Sequence, residues 1–243
     1  MPIPPLSTRS SLDAEQAYGV QRVNMARRFA AGERRVGHKV GLTSLAMQQM
    51  LGVDQPDFGV LTDRMVVEND GHLDVGELIA PRAEAEFAFR IGASLPPSPT
   101  LDQLRDAIDG VAVALEIIDS RIADWKITLV DTIADNASSA RIVCGDFVPA
   151  EPALLSALPD IVISLGQDGT ERGAGPGSAV LGDPLVSLHW LADAIGAYGT
   201  GFDKGDVVLA GAVAAAIPLV AGSTFTATAT GFAPATVHAT ATK

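Results

Sequence analysis

Apolar positions first recur at helical spacing. Ala14, Tyr18, Met25 and Phe29 form a thin stripe between Ser11, which can cap a helix, and Gly32, which ends it. Asp13 and Glu15 in the first turn and Arg27 and Arg28 in the last complement the dipole of that helix. Residues 36–42 then alternate. Val36, His38, Val40 and Leu42 share one face, with Gly37, Lys39 and Gly41 on the other. A lysine between two residues without side chains marks a strand face that a ligand or another backbone approaches closely. A short helix is expected next, opened by Thr43 or Ser44 and closed by Gly52, and then a loop over 53–59.

From about residue 73 the pattern changes to strands. Residues 83–91, 223–230 and much of 236–240 alternate cleanly. Continuous apolar runs at 111–118, 161–165 and 207–210 predict strands buried on both faces, the first being also compatible with a helix. Asp183-Pro184 predicts a helix start, with Leu188, Leu191 and Ile195 on its apolar face. The expected class is α+β: a helical N-terminal region over residues 1–72, which carries the lysine strand and the Asp57 loop, and a mostly β core over 73–243.

Composition narrows the function classes. With 47% hydrophobic and 19% charged residues among 243, the chain is not of the disordered kind. A formal net charge of −12 without a basic block argues against nucleic acid as a partner. Cys144 is the only cysteine, which excludes an intrachain disulfide and a cysteine-based zinc site. The longest apolar run, 207–222, is interrupted by Gly211 and Pro218 and falls short of the ~20 residues of a membrane span. Met1-Pro-Ile-Pro-Pro has no basic region followed by an apolar one, so a cytoplasmic, membrane-free protein is expected.

The chemistry gathers at three glutamates. In a strand over 83–91, Ala83, Ala85, Phe87, Phe89 and Ile91 face the core, and Glu84 and Glu86 share the other face about 7 Å apart. Such a pair is either the solvated face of an edge strand or a site that holds a cation or a shared proton. Glu116 lies inside Val111-Ala-Val-Ala-Leu-Glu-Ile-Ile118, where a carboxylate needs a partner. A divalent cation shared with Glu84 and Glu86 would supply one, with oxygen-only ligands favouring Mg²⁺ or Mn²⁺. A salt bridge to Arg121 or Arg82 is the competing expectation. His38 is expected to be a satisfied core histidine, Cys144 a buried small hydrophobe, and the apolar 212–217 segment core packing rather than pocket lining.

Gly37-His-Lys-Val-Gly-Leu-Thr-Ser44, Leu51-Gly-Val-Asp-Gln-Pro-Asp-Phe-Gly59, Glu116-Ile-Ile-Asp-Ser-Arg-Ile-Ala-Asp-Trp-Lys126 and the segment 131–139 resemble the 2-keto-4-pentenoate hydratases. These belong to the fumarylacetoacetate hydrolase superfamily and act in meta-cleavage degradation of aromatic compounds. The resemblance implies a mixed β-roll core, a homo-oligomer that associates with the pathway decarboxylase or aldolase, and a small 2-oxo or 2-hydroxy dienoate as substrate. It implies Mg²⁺ or Mn²⁺ on Glu84, Glu86 and Glu116, and catalytic roles for Lys39, at the substrate carboxylate or enolate, and Asp57, at the attacking water. It also leads us to expect Leu42, Asn136 and Ser138 at the substrate. Hydrolases of the superfamily carry a lysine shortly before the segment that here reads Asp131-Thr-Ile; Ile127-Thr-Leu-Val130 stands in its place, which argues against C–C hydrolysis. The sister decarboxylases of 2-oxo-3-hexenedioate, or a non-catalytic partner subunit of such an enzyme, remain the alternatives.

Overall fold

The computed structural model describes residues 1–44, 48–49 and 52–241. The helix expected between Thr43 and Gly52 falls largely outside those residues. Helix α1 (Ala14–Ala30) is capped by Asp13 instead of Ser11: the Asp13 carboxylate accepts the Gln16 N–H and the Gln16 side chain accepts the Asp13 N–H. This reciprocal arrangement satisfies two otherwise orphaned donors. The buried stripe of α1 is Ala17, Gln21 and Met25, while Phe29 is 39% exposed. The stripe is thus offset from the expected one because a polar residue, Gln21, occupies its centre.

Two sheets form the core. The larger runs β2 (Asp57–Thr62), β1 (Arg35–Gly41), β10 (Val207–Leu209), β4 (Arg82–Ile91), β5 (Ile108–Ile118) and β6 (Ser139–Cys144), with β7 (Val148–Pro149) on β5 and β11 (Ile217–Pro218) on β4. The smaller runs β3 (Gly71–Asp74), β13 (Ala235–Thr240), β12 (Thr224–Ala229), β8 (Val162–Gln167) and β9 (Thr170–Pro176). Both are mixed: β1 with β10 and β3 with β13 are parallel pairs, and the other pairs are antiparallel. The α+β expectation with its mixed β core is met. The 111–118 run is a strand, and β4 lies inside the sheet, not at its edge.

Alternation along β4 sends Ala83, Ala85, Phe87, Phe89 and Ile91 into one large apolar cluster. Val111, Val113, Leu115 and Ile117 of β5 join them, as do Ile163, Leu165, Phe225, Ala227 and Val237 from the smaller sheet. Each buried Phe or Leu contributes about 1.5–3 kcal/mol by leaving water, which holds the two sheets face to face. Asp183 caps α5 (Pro184–Gly196) by accepting the Leu185 N–H, and that helix adds Leu185, Leu188, Leu191 and Ile195 to the same cluster. On the opposite face of the larger sheet Ala88, Ala112, Ala114 and Leu209 pack with Leu61, Met65 and Ile142 in a second apolar cluster, and Glu84, Glu86 and Glu116 share that face.

At its outer edge β2 has no strand neighbour among the described residues. Side chains take that place. The Phe58 N–H donates to Tyr18 Oη (3.3 Å), and the Phe58 carbonyl accepts from Gln21 Nε2 (2.8 Å). Two residues on, the Val60 N–H donates to Asn136 Oδ1 (2.8 Å) and its carbonyl accepts from Asn136 Nδ2 (2.9 Å). Asn136, Ala137 and Ser138 are all left-handed, with φ of 58°, 51° and 54°. Non-glycine residues there cost of order 1–3 kcal/mol each, so surrounding contacts must hold them.

Candidate metal and substrate site

Register builds the site. β4 pairs with β5 so that Glu84 lies directly opposite Glu116, and Glu86 follows two residues along the same face. One ligand oxygen from each of Glu84, Glu86 and Glu116 falls within 4.8 Å of the others. The Glu86 Oε2 accepts the Gly211 N–H (2.8 Å), and Glu116 Oε1 accepts from Ser139 Oγ (3.2 Å). The Glu116 Oε2 is buried with no hydrogen-bond partner among the described residues. Lys39 Nζ stands 3.2 Å from it, near enough for an ion pair but not aligned to donate.

The salt-bridge expectation for Glu116 thus finds a different cation. Arg121 is taken by Asp135 at 2.6 Å, and the Arg82 guanidinium lies over the Trp125 ring, 4.6 Å from its centroid. One ammonium does not balance three carboxylates. Burial, followed by the charge of Glu116, pushes the Glu84 carboxyl up to about 7 and the Glu86 carboxyl well above its ordinary value. Burial also raises Glu116, against the opposing pull of Lys39. Three converging carboxylates, one with an orphaned buried oxygen, fit a hard divalent cation.

Lys39 and Asp57 meet beside this triad. Asp57, at the start of β2, pairs with Gly41 on β1, and a Cβ at Gly41 would collide with Asp57 Oδ1 and lie 3.2 Å from Lys39 Nζ. A Cβ at Gly37 would collide with the Val207 carbonyl on the parallel neighbour. Both glycines flanking the lysine therefore answer to close approach, one by a side chain and one by a backbone. Burial works against the Lys39 ammonium, but Glu116, Asp57, Glu84 and Glu86 outweigh it and its pKa is raised. Burial also raises Asp57, against the opposing effects of Lys39 and of Thr132, whose Oγ1 donates to Asp57 Oδ2 (3.1 Å).

Lys39, Asp57, Glu84 and Glu86 open into a cavity of about 500 Å³, whereas Glu116 is fully buried and does not line it. Leu42, left-handed at φ 56°, lines this cavity, and Val36, beyond the register shift between Arg35 and Gly37, packs with Leu61 and Ala88 instead of on the core face of Val40. Ser138 lines it too, with a buried hydroxyl that has no partner among the described residues. Asn136 is not part of the lining, because both ends of its amide are spent on Val60. Residues 212–216, expected to serve as core packing, form one wall of the cavity, although Val213 also reaches the core.

Elsewhere His38 is buried as expected but not satisfied. Its Nδ1 lacks a partner among the described residues, and burial drives its pKa down to about 3, which leaves it neutral. Cys144 is only partly buried, against expectation, and burial followed by the charge of Glu86 pushes its thiol up to about 12. Sequence reading missed Thr132 and Gln21. A polar residue four positions from both Ala17 and Met25, in the middle of a buried stripe, was the available signal for Gln21.

A stability prediction follows from the triad. A carboxyl whose pKa is higher folded than unfolded makes stability fall as pH rises from the unfolded value, here 4.5, through the folded one, here about 7 for Glu84. Protein treated with EDTA should melt at progressively lower temperature between about pH 5 and about pH 8. Saturating Mg²⁺ should flatten that slope by favouring the ionised triad. Identical slopes with and without the cation in differential scanning fluorimetry would contradict a metal-coupled triad.

Comparison with known proteins agrees with this geometry. The model of the fumarylacetoacetate (FAA) hydrolase C-terminal region matches residues 38–238. A 2-hydroxyhexa-2,4-dienoate hydratase of Comamonas testosteroni is 42% identical, over 88% of this chain and 81% of its own. A 2-keto-4-pentenoate hydratase of Paraburkholderia xenovorans is 40% identical, over 92% and 83%. Among solved structures, the 4-oxalocrotonate decarboxylase of Pseudomonas putida G7, complexed with magnesium and adipate, superposes with a TM-score of 0.92 at 32% identity, over 98% of this chain and 90% of that one. The chain belongs to the fumarylacetoacetate hydrolase family, among its 2-keto-4-pentenoate hydratases.

Proposed function

We propose that the protein adds water to a 2-hydroxy-2,4-dienoate, of the 2-hydroxypenta-2,4-dienoate kind, to give a 4-hydroxy-2-oxo acid. The observation that carries this reading is the meeting of Lys39, Asp57, Glu84 and Glu86 in one cavity, with the fully buried Glu116 converging on the two other glutamates, in a chain about 40% identical to named hydratases. Glu84, Glu86 and Glu116 would hold Mg²⁺ or Mn²⁺, which supplies Lewis-acid charge to a chelating 2-oxo acid. Lys39 binds the substrate carboxylate and offsets the negative charge that develops at the C2 oxygen. The dienol loses its C2 hydroxyl proton and takes one at C5 to become an α,β-unsaturated ketone, whose C4 accepts water. Asp57 accepts a proton from that water through Oδ1, since Oδ2 is held by Thr132; a raised pKa makes it a stronger base. The added proton at C3 balances the reaction as one water gained. Ser138 is placed to orient substrate, Leu42 and the 212–216 wall enclose its tail, and the working form is a homo-oligomer.

Decarboxylation of a 2-oxo-3-hexenedioate is the second reading, favoured by the superposition on the decarboxylase and by Arg82, a cation lining the same cavity. Purified protein mixed with 2-hydroxypenta-2,4-dienoate and Mg²⁺ should lose the dienol absorbance and give a product heavier by one water, and EDTA should stop it. Asp57→Asn should slow hydration by roughly 10²–10⁴-fold and ketonisation much less. Release of CO₂ from 2-oxo-3-hexenedioate without turnover of the pentadienoate would move the protein to the second reading.

A further inference from the structure

We infer that Gln21 is a positioning residue for the Asp57–Thr132 pair, which makes α1 part of the catalytic apparatus; this rests on the proposed role of Asp57 with water. Gln21 is 2% exposed, and its single amide nitrogen donates to two carbonyls, those of Phe58 (2.8 Å) and Ile133 (3.1 Å). Phe58 follows Asp57 on β2. Ile133 follows Thr132 on α3 (Leu129–Ala134). One side chain therefore spans the two backbones whose side chains meet at the 3.1 Å Thr132–Asp57 hydrogen bond. Both amide hydrogens are committed, so the span between the two carbonyls is fixed by the geometry of one planar group.

The rest of α1 supports the same point. Tyr18, three residues earlier on the helix, accepts the Phe58 N–H and stacks on the Phe58 ring at 4.4 Å and 17°. Ala17 packs against Ile133 and Ala134. An apolar residue at position 21 would suit a stripe made of Ala17 and Met25, and a buried amide is unfavourable there without partners. The amide finds its partners at β2 and α3, beside Asp57 and Thr132. Loosening that clamp lets the carboxylate drift from the water it activates, and small misplacements of a reacting group cost on the order of 10²-fold in rate.

The test is a double-mutant cycle on the metal-loaded enzyme with 2-hydroxypenta-2,4-dienoate. Gln21→Met should lower kcat by about 10–100-fold while KM moves by less than about 3-fold. In the Asp57→Asn background the same change should lower kcat by less than about 3-fold, because the group it positions is already gone. Gln21→Asn keeps a buried amide too short to span both carbonyls and should reproduce the kcat loss, which guards against misfolding of the methionine variant. Thermal melting and Mn²⁺ titration check that fold and metal site persist. Equal losses in both backgrounds, or an unchanged kcat in a folded variant, overturn the inference while leaving the hydratase reading intact. Wild-type kcat in Asp57→Asn alone overturns the assigned role of Asp57 and this inference with it.

Discussion

Glu116→Gln should abolish turnover and weaken divalent-cation binding by more than about 10²-fold, beyond the loss typical of residues that merely support metal ligands. The substitution keeps the shape of the side chain and replaces one carboxylate oxygen with an amide that cannot act as an anionic ligand. Glu116 Oε2 is a buried oxygen with no hydrogen-bond partner among the described residues, directly across the strand pair from Glu84. Nothing in the apolar surroundings of β5 can replace its charge. Mn²⁺ binding followed by calorimetry, together with the dienoate assay, measures both effects. Wild-type affinity and turnover in this variant would take Glu116 out of the metal site. The fold should survive, since the Lys39 ammonium, which loses its partner at 3.2 Å, is still offset by Asp57, Glu84 and Glu86, and the change relieves repulsion among the three carboxylates.

Lys39→Met is expected to lower kcat/KM by roughly 10³-fold, the loss that follows removal of a preorganised charge aimed at a developing oxyanion. Here the metal affinity should hold or rise, because a cation competing for the same carboxylates is gone. That opposite response of metal binding separates Lys39 from Glu116. Stability should respond to the metal as well. Without Lys39, Glu116 loses its ion pair at 3.2 Å, and breaking a buried pair costs about 3–5 kcal/mol. Metal-free Lys39→Met should therefore melt well below metal-free wild type, and Mg²⁺ should restore most of the difference. Wild-type kinetics would remove Lys39 from the reaction.

The parts of this site that are legible in sequence share one property: each breaks a local pattern. Glu116 interrupts an apolar strand, Lys39 sits between glycines, and Glu84 and Glu86 fall on one face of an alternating run. What the pattern does not carry is register. That Glu84 meets Glu116, and Gly41 meets Asp57, depends on pairings between distant segments. Asn136 shows a second limit. Its place behind β2 depends on three consecutive left-handed residues, none of them glycine, and of these only Asn136 has a local preference for that conformation. Polar residues at a strand end suggest a site, yet most of the 131–139 segment is structural. Asp131 binds Ser7 and Thr128, Asp135 binds Arg121, and Thr132 and Ser138 reach the cavity.

The sealed margin of β2 has a consequence for how copies of this chain can meet. An exposed strand edge is a template for pairing with another molecule, and natural sheets protect such edges against aggregation. At Phe58 and Val60 the backbone donors and acceptors that would recruit a foreign strand are already matched by Tyr18, Gln21 and Asn136. Assembly at this margin cannot run as one continuous intermolecular sheet. It has to proceed through side-chain surfaces, and presenting this edge for fibrous growth would take release of both α1, which holds Phe58, and Asn136, which holds Val60.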